Sequence, residues 1–573
     1  MSAISRRSLL QGTAAAGATL IAGNLWRWDA QAQTAGGSAE LKPAFDKLDQ
    51  YIAKRMPELN APGMTLVVAD RSGPLRISTY GFADTKLRRP VAPDTLYEIG
   101  SISKSFCGLA ILQLRDEGKL DLHKPVREYL PWLEIDSRFD PITVHHLLTH
   151  TSGMPGDAPM FPRAPYGGKL WTGYAPGTQW NYCNLGYRLL GLIVQKLDGR
   201  PFAQAVRARL FERLGMTSSE PVITMDIRPR LATSYVGYFE DRPLMSDRKF
   251  AEAGGLIFTE ASGSIASTPG DMGKYIQMIL NGGQIANGRL ISEDSFRQFL
   301  TPFAKAAEFG PDTSYGYGLA IDQIEGRKIA RHTGGMVSFV SSIHMDVTDG
   351  VGAFASVNAR MNEYRPNEFA RYALELARAA KAGKPLPDRA PFMPEKILKT
   401  PADYPGTYTT IDGKKLVISA TAERVYWSRD NAQVALLPFG PDVFLPDDPV
   451  LAKYIIRFGR DDKKQIVEAF YGPDWFLGSK YSGPREFKFP EEWRAYPGHY
   501  RNDSIWIGSA RVFLNKGQLW LENTDQLYPL GGALFRPAAE EWVPERVSFD
   551  GIADGRALRM NLSGVDFDRM GAP

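Results

Sequence analysis

Ser101 and Lys104 stand three residues apart at the head of an apolar stretch running from Ser105 to Arg115. A serine hydroxyl is a weak nucleophile at neutral pH and needs a neighbouring base. Residues at i and i+3 of a helix share a face, so the Lys104 amine can reach the hydroxyl. A desolvated lysine can lose its proton near neutral pH and act as that base, and the helix N-terminus favours developing negative charge. The pair alone is weak, because Ser-x-x-Lys is common by chance and Ser101 can be a simple helix cap. A second set is Tyr182-Cys183-Asn184, preceded by Pro176-Gly177-Thr178. Its tyrosine can share a proton with the lysine and its asparagine amide can hold a substrate, although a tyrosine in such a loop also serves as packing. The third set, His332-Thr333-Gly334-Gly335, opens a β segment. Glycine there lets a substrate lie against the strand edge without a side chain in the way. The backbone N–H of Gly335 can then join that of Ser101 as the two donors of an oxyanion hole. The bland alternative is a β-turn with a surface histidine.

Three sets so far apart need a fold to assemble them. Leu41, Phe45, Leu48 and Ile52 recur at helical spacing. Two strands are expected at Gly63–Asp70 and Leu75–Asp84. The middle of the chain mixes amphipathic helices with loops, one of them, Met154–Thr178, dense in Pro, Gly and aromatics. Strands return near 317–321, 329–332, 338–345 and 352–357, followed by a helix with Phe369, Tyr372, Ala373 and Leu376 on one face. This order is α+β: an antiparallel sheet drawn from both ends of the segment, flanked by helices, with a helical subdomain between. Residues 383–403 are rich in Pro and basic residues and read as a linker. Beyond them the texture turns to short β runs, including 416–419, 424–428, 454–458, 466–471, 505–507, 512–514 and 518–521. Tyr404-Pro405-Gly406-Thr407-Tyr408 returns as Tyr496-Pro497-Gly498-His499-Tyr500. The repeat predicts two consecutive small β-barrel modules, 404–490 and 491–573, rather than one larger β domain.

Ser-x-x-Lys, then Tyr-x-Asn, then [Lys/His]-[Thr/Ser]-Gly, in that order and in those settings, is the motif set of serine β-lactamases and penicillin-binding proteins. Over residues 40–382 the sequence resembles the class C β-lactamase-like serine hydrolases. Tyr97-Glu98-Ile99-Gly100-Ser101, Gly118-Lys119-Leu120-Asp121-Leu122, His146-Leu147-Leu148-Thr149-His150-Thr151-Ser152-Gly153 and Asn281-Gly282-Gly283 add to the likeness. The resemblance implies that Ser101 forms an acyl-enzyme and that Lys104 and Tyr182 move protons. It also implies that Asn184, Thr333 and Gly334 bind substrate, and that the N–H groups of Ser101 and Gly335 hold the oxyanion. His332 stands where β-lactamases and carboxypeptidases of the family usually carry the Lys that helps hold a substrate carboxylate. Esterases and D-stereospecific aminopeptidases of the family carry His there, and the two C-terminal barrels resemble the D-aminopeptidase branch. In that branch a loop of the last barrel reaches the active site. Asn523-Thr524-Asp525-Gln526 is a candidate for that loop, its plainer reading being a solvated turn. The implied activity is a peptidase or amidase on short or D-configured peptides, with an esterase or acyltransferase second and a β-lactamase or penicillin-binding protein third.

Other chemistry finds little support. There is no Gly-x-Ser-x-Gly elbow and no Gly-rich phosphate loop before a helix. His145, His146 and His150 lack a metal-binding spacing, so neither metal nor cofactor is expected. The formal net charge is +4, and residues 1–32, with three arginines and one aspartate, carry part of it. Such a balance argues against nucleic acid as a partner and for a small-molecule or short-peptide substrate; oligomeric state stays open. Ser5-Arg6-Arg7-Ser8-Leu9-Leu10, a mildly apolar stretch and Ala30-Gln31-Ala32 read as a twin-arginine export signal over residues 1–32. That predicts a periplasmic or secreted protein with no membrane span. The compartment permits a disulfide between Cys107 and Cys183, but Cys107 sits in an apolar helix and reads as a small hydrophobe.

Overall fold

The structure, a computed structural model, describes residues 31–33, 39–163, 166–237, 241, 250–360, 366–388, 400–429, 432–503, 506 and 508–573. Nearly all of the expected export signal, the centre of the 383–403 linker and most of the 505–507 run lie outside the described residues. Gln31–Gln33 pairs antiparallel with Ile77–Thr79.

Helix α1 (Lys42–Glu58) leads into the hairpin β1 (Gly63–Asp70) and β2 (Gly73–Asp84). After the long middle region come β3 (Ala320–Ile324), β4 (Arg327–Gly335), β5 (Val340–Asp346) and β6 (Val351–Val357). These form one antiparallel sheet in the order β2-β1-β6-β5-β4-β3, extended by the short strands Ser314–Tyr315 and Ala304–Lys305. Strand β1 is buried along its whole length, because both faces of the sheet are covered. Its side chains alternate as a strand requires. Met64, Leu66 and Val68 join a core with α1 and the helix Pro366–Lys381, while Val67 and Ala69 join the larger core of the helical region. At about 1.5–3 kcal/mol for each large apolar side chain buried, these two layers fix the register of the sheet. A one-residue slip would exchange the two sets.

Between β2 and β3 lies the helical region. Its central helix, α2 (Ser103–Asp116), is buried on every side from Ser103 to Leu114, as expected of a helix apolar all round. Helix α3 (Asn184–Asp198) packs on it and ends at Gly199 in the left-handed region. Helix α4 (Pro269–Leu280) covers the sheet, and helix α5 (Pro366–Lys381) closes the opposite face. Cys107 and Cys183 are both buried and free. Burial pushes each thiol up to about 12, and Cys107 packs as a small apolar group in the core.

The C-terminal part forms two closed eight-stranded barrels, Gly406–Leu477 and Gly498–Gly571. The repeated pentapeptide does the same work in each. Tyr408 donates its hydroxyl to the Tyr404 carbonyl (2.8 Å), and Tyr500 to that of Tyr496 (2.6 Å), each pair entering the first strand of its barrel. The barrels meet at Arg457, whose guanidinium lies 4.1 Å from the ring of Phe470 in the first barrel and 3.9 Å from Trp520 in the second. Asn523 is buried at this seam, donating to the Gly472 carbonyl and accepting from Asn515. Residues 522–524 are the turn between the strands Gln518–Leu521 and Asp525–Gly531, and Asn523 in it is buried against the first barrel rather than solvated. No helix among the described residues is long and apolar enough to cross a membrane.

Candidate active site

Ser101 sits one step before α2, in a single 3-10 turn spanning Gly100–Ile102. The residue before that helix is Ile102, and no side chain caps it, so Ser101 does not act as the helix cap. The turn is held from both sides. Tyr97–Glu98 pairs with Ala266–Ser267, and the Ile99 N–H donates to the Ile265 carbonyl (3.0 Å). On the other side the end of β4 is pressed against it. A Cβ on Gly100, whose φ is +53°, would stand 2.9 Å from the Gly335 nitrogen. A Cβ on Gly334 would come within 1.9 Å of the Ile99 carbonyl oxygen. The protein's own backbone therefore occupies the room that the sequence reading reserved at Gly334 for a substrate. The same approach brings the Gly335 N–H against the residue preceding Ser101.

Lys104 projects from the first turn of α2 and is fully buried. Its Nζ donates to the Ser262 carbonyl (2.6 Å) and stands 3.1 Å from Ser101 Oγ. It faces the rings of Tyr182 at 4.9 Å and Tyr187 at 5.5 Å. The i, i+3 spacing thus yields the contact expected of it.

Tyr182 arrives from a loop clamped by His150. The His150 carbonyl accepts from the Asn181 N–H (2.9 Å), and its Nδ1 accepts from the Cys183 N–H (2.9 Å). The imidazole stacks on the Tyr182 ring at 4.2 Å. His150 is thereby a supporting residue that sequence reasoning placed only within a family-like run. Cys183 caps α3, its sulfur accepting from the Gly186 N–H. Asn184 opens α3 and donates its amide to Asp157 (2.6 Å), a partner the sequence did not suggest. The other histidines are engaged locally. His145 Nδ1 is 2.8 Å from the Tyr317 hydroxyl, and His146 Nδ1 accepts from the Thr143 N–H. Burial and the neighbouring His146 and His123 hold His145 down to about 4. No group of three or more His, Cys, Asp or Glu among the described residues is placed to hold a metal ion.

His332 lies inside β4 and is buried, so it is not a surface residue on a turn. Its Nδ1 is 2.6 Å from the Thr333 carbonyl and its Nε2 is 2.8 Å from the Tyr315 hydroxyl. Nδ1 donates to that carbonyl, and Nε2 shares a proton with the Tyr315 hydroxyl. Thr333 follows half-buried on the same strand. Beside His332 and Tyr182 stands an aromatic wall absent from the sequence reading. Phe309 lies 5.2 Å from the His332 ring and 6.2 Å from Tyr182, with Trp180 at 6.1 Å. Both Phe309 and Trp180 are half-buried. The structure thus brings Ser101, Lys104, Tyr182 and His332 into one neighbourhood. A serine hydroxyl beside a buried amine and a phenol is a set able to form and hydrolyse an ester of that serine.

The Beta-lactamase family profile matches residues 48–377. The chain is 24% identical over 389 residues to a penicillin-binding protein of Bacillus subtilis (strain 168), covering 63% of this chain and 82% of that one. It is 34% identical over 175 residues to a beta-lactamase of Providencia stuartii, covering 30% of this chain and 45% of that one. Among solved structures, the octameric penicillin-binding protein homologue from Pyrococcus abyssi matches with a TM-score of 0.54 and 24% identity. That match covers 76% of this chain and 99% of the homologue, and it supports the fold. With the family match spanning more than half of its length, the chain belongs to the β-lactamase family of serine hydrolases.

Proposed function

We propose that the chain is an exported peptidase or amidase that cleaves short peptides, D-configured ones included, through an acyl-enzyme on Ser101. The observation that carries the chemistry is the 3.1 Å approach of Lys104 Nζ to Ser101 Oγ, made in a buried setting against the Tyr182 ring. Ser101 Oγ attacks the substrate carbonyl, and its proton passes to the Lys104–Tyr182 pair. The oxyanion faces the N–H groups of Ser101 and Gly335, a donor pair of the kind worth roughly 3–4 kcal/mol per donor in such reactions. The C–N bond breaks, and the leaving amine takes the proton from the pair. Water then attacks the ester, its proton returning through Tyr182, and the acid leaves. Asn184 and Thr333 line the substrate's path.

His332 speaks for a substrate not held chiefly by a carboxylate. Both ring nitrogens are engaged within the protein, where a lysine would supply a fixed positive charge. The half-buried aromatic pair Trp180 and Phe309 favours a second reading, an esterase or acyltransferase acting on apolar acyl groups. A β-lactamase or penicillin-binding activity, suggested by the names of the relatives, is third.

A matched comparison on the protein lacking residues 1–32 separates these readings: a D-alanyl p-nitroanilide against p-nitrophenyl butyrate, with Ser101→Ala as blank. Anilide turnover rivalling that of the ester supports the peptidase reading, since amides are intrinsically harder to hydrolyse. Ester turnover alone supports the esterase.

A further inference from the structure

The second barrel sends a loop, 537–546, against the catalytic domain. Trp171 Nε1 donates to the Pro544 carbonyl (2.7 Å), and Trp542 packs edge-on against Tyr174. A Cβ on Gly173 would stand 2.4 Å from the Trp542 carbonyl oxygen. At the inner end of this loop is Glu545, whose carboxyl lies beneath the loop that carries Tyr182. Its Oε1 accepts from the Gly156 N–H (3.1 Å) and from Asn181 Nδ2 (3.4 Å).

Both partners lead directly to the site. Asn181 precedes Tyr182, and its amide also donates to the Met154 carbonyl. The Gly156 carbonyl accepts from the N–H groups of Asn184 and Leu185, which start α3. Gly156 also packs so tightly under the Tyr182 carbonyl that a Cβ would come within 2.8 Å of it. Next in sequence is Asp157, which holds the Asn184 amide. On the opposite side, His150 binds the backbone of Asn181 and Cys183. The Tyr182 segment is thus clasped between His150 of its own domain and a carboxyl from the second barrel.

From this clasp we infer that Glu545 is a positioning residue for Tyr182 and Asn184, so that the second barrel completes the active site. The inference rests on the roles proposed above for those two residues. Burial holds the Glu545 carboxyl above its ordinary range, with Asp157 adding to the rise and the hydrogen bonds from Gly156 and Asn181 opposing it. Glutamine keeps an acceptor oxygen on a side chain of the same length, so it can still accept from Gly156 and Asn181.

The test is steady-state ester hydrolysis by the full protein carrying Glu545→Ala, Glu545→Asp or Glu545→Gln, with the melting temperature measured alongside. The expected result is a fall in kcat of at least tenfold for Glu545→Ala and Glu545→Asp, with KM changed less than about threefold. Glu545→Gln should keep kcat within about threefold of the parent. Should Glu545→Ala fail to fold, the aspartate variant, one methylene short of the contact, decides. Parent-like kcat in every folded variant overturns the inference, as does a loss confined to KM or one that glutamine fails to restore. Tyr182→Phe run in parallel keeps the two claims apart: a Tyr182→Phe variant as fast as the parent refutes the role of Tyr182 itself.

Discussion

The α-carbon of Gly334 lies so near the Ile99 carbonyl that a side-chain carbon there would come within 1.9 Å of the oxygen and 2.3 Å of Ser341 Oγ. The obstacle is backbone on one side and a buried serine on the other, and neither can swing away. Gly334→Ala must therefore lift the end of β4 off the turn that carries Ser101. Overpacking of this kind costs about 1–3 kcal/mol, which a domain of this size can survive. The expected outcome is a protein that still folds, melts several degrees lower and acylates at least a hundredfold more slowly. Stopped-flow acylation with a p-nitrophenyl ester, beside a thermal melt, checks it.

Phe309 stands beside His332 and Tyr182, and its carbonyl is held by Arg331 at 2.7 Å, so truncating its ring leaves the backbone anchored. If the ring forms the wall against which an acyl chain rests, Phe309→Ala should lower kcat/KM more as the chain lengthens. Removing one apolar contact is worth about 1–3 kcal/mol in discrimination. The loss should reach roughly tenfold for a hexanoate ester and stay near twofold for acetate. Equal losses across the series would show that the ring does not meet the acyl chain.

Glu98, three residues before Ser101, is buried, and its Oε2 has no hydrogen-bond partner among the described residues. Burial pushes its carboxyl up from 4.5 to about 8. The folded state therefore binds a proton that the unfolded chain releases between those values. The stability this contributes is complete below about pH 4.5 and is lost as pH rises through about 8, on the order of 5 kcal/mol in all. Glu98→Gln removes that dependence. Melting curves of the two proteins should nearly coincide at pH 4.5 and separate progressively toward pH 9, the variant being the more stable. Curves that stay parallel across the range would contradict the burial of an uncompensated carboxyl.

Arg457 lies between Phe470 and Trp520, one ring from each barrel, whereas Arg494 lies over Phe489 on the surface with its side chain 63% exposed. Desolvated contacts of this type are worth about 2 kcal/mol and exposed ones about 0.5–1. Arg457→Ala should thus loosen the seam between the barrels, read as faster proteolysis between them and a lower melting temperature. Arg494→Ala should leave the proteolysis unchanged and lower the melting temperature distinctly less. Equal effects would show that the two ring contacts of Arg457 do not hold the seam.

Much of the site could be read from spacing. Ser101 and Lys104 touch because three residues make nearly one helical turn, and that needs no tertiary information. The strands expected at 63–70, 75–84, 329–332 and 352–357 fall within the observed strands Gly63–Asp70, Gly73–Asp84, Arg327–Gly335 and Val351–Val357. The paired pentapeptides announced two barrels because each tyrosine closes on the carbonyl four residues before it. What stayed hidden depends on contacts between distant segments. The bond from Asn184 to Asp157 spans a loop whose path has no periodicity. Phe309 comes beside His332 only through the strand pairing at the sheet's edge. The seam position of Asn523 follows from how two barrels pack; its polar composition pointed to the turn that is there but not to its burial. Glycine at 334 was legible as a demand for space, but not which group makes that demand.

The central claim is that Ser101 carries the acyl group. The most direct measurement is intact mass and peptide mapping of the protein quenched in acid within milliseconds of mixing with a p-nitrophenyl ester, compared with Ser101→Ala and Lys104→Ala. The account predicts one acyl mass on the peptide containing Ser101, none in Ser101→Ala, and accumulation at least a hundredfold slower in Lys104→Ala. An adduct on another residue, or a Ser101→Ala variant that turns over ester at the parent rate, would contradict it.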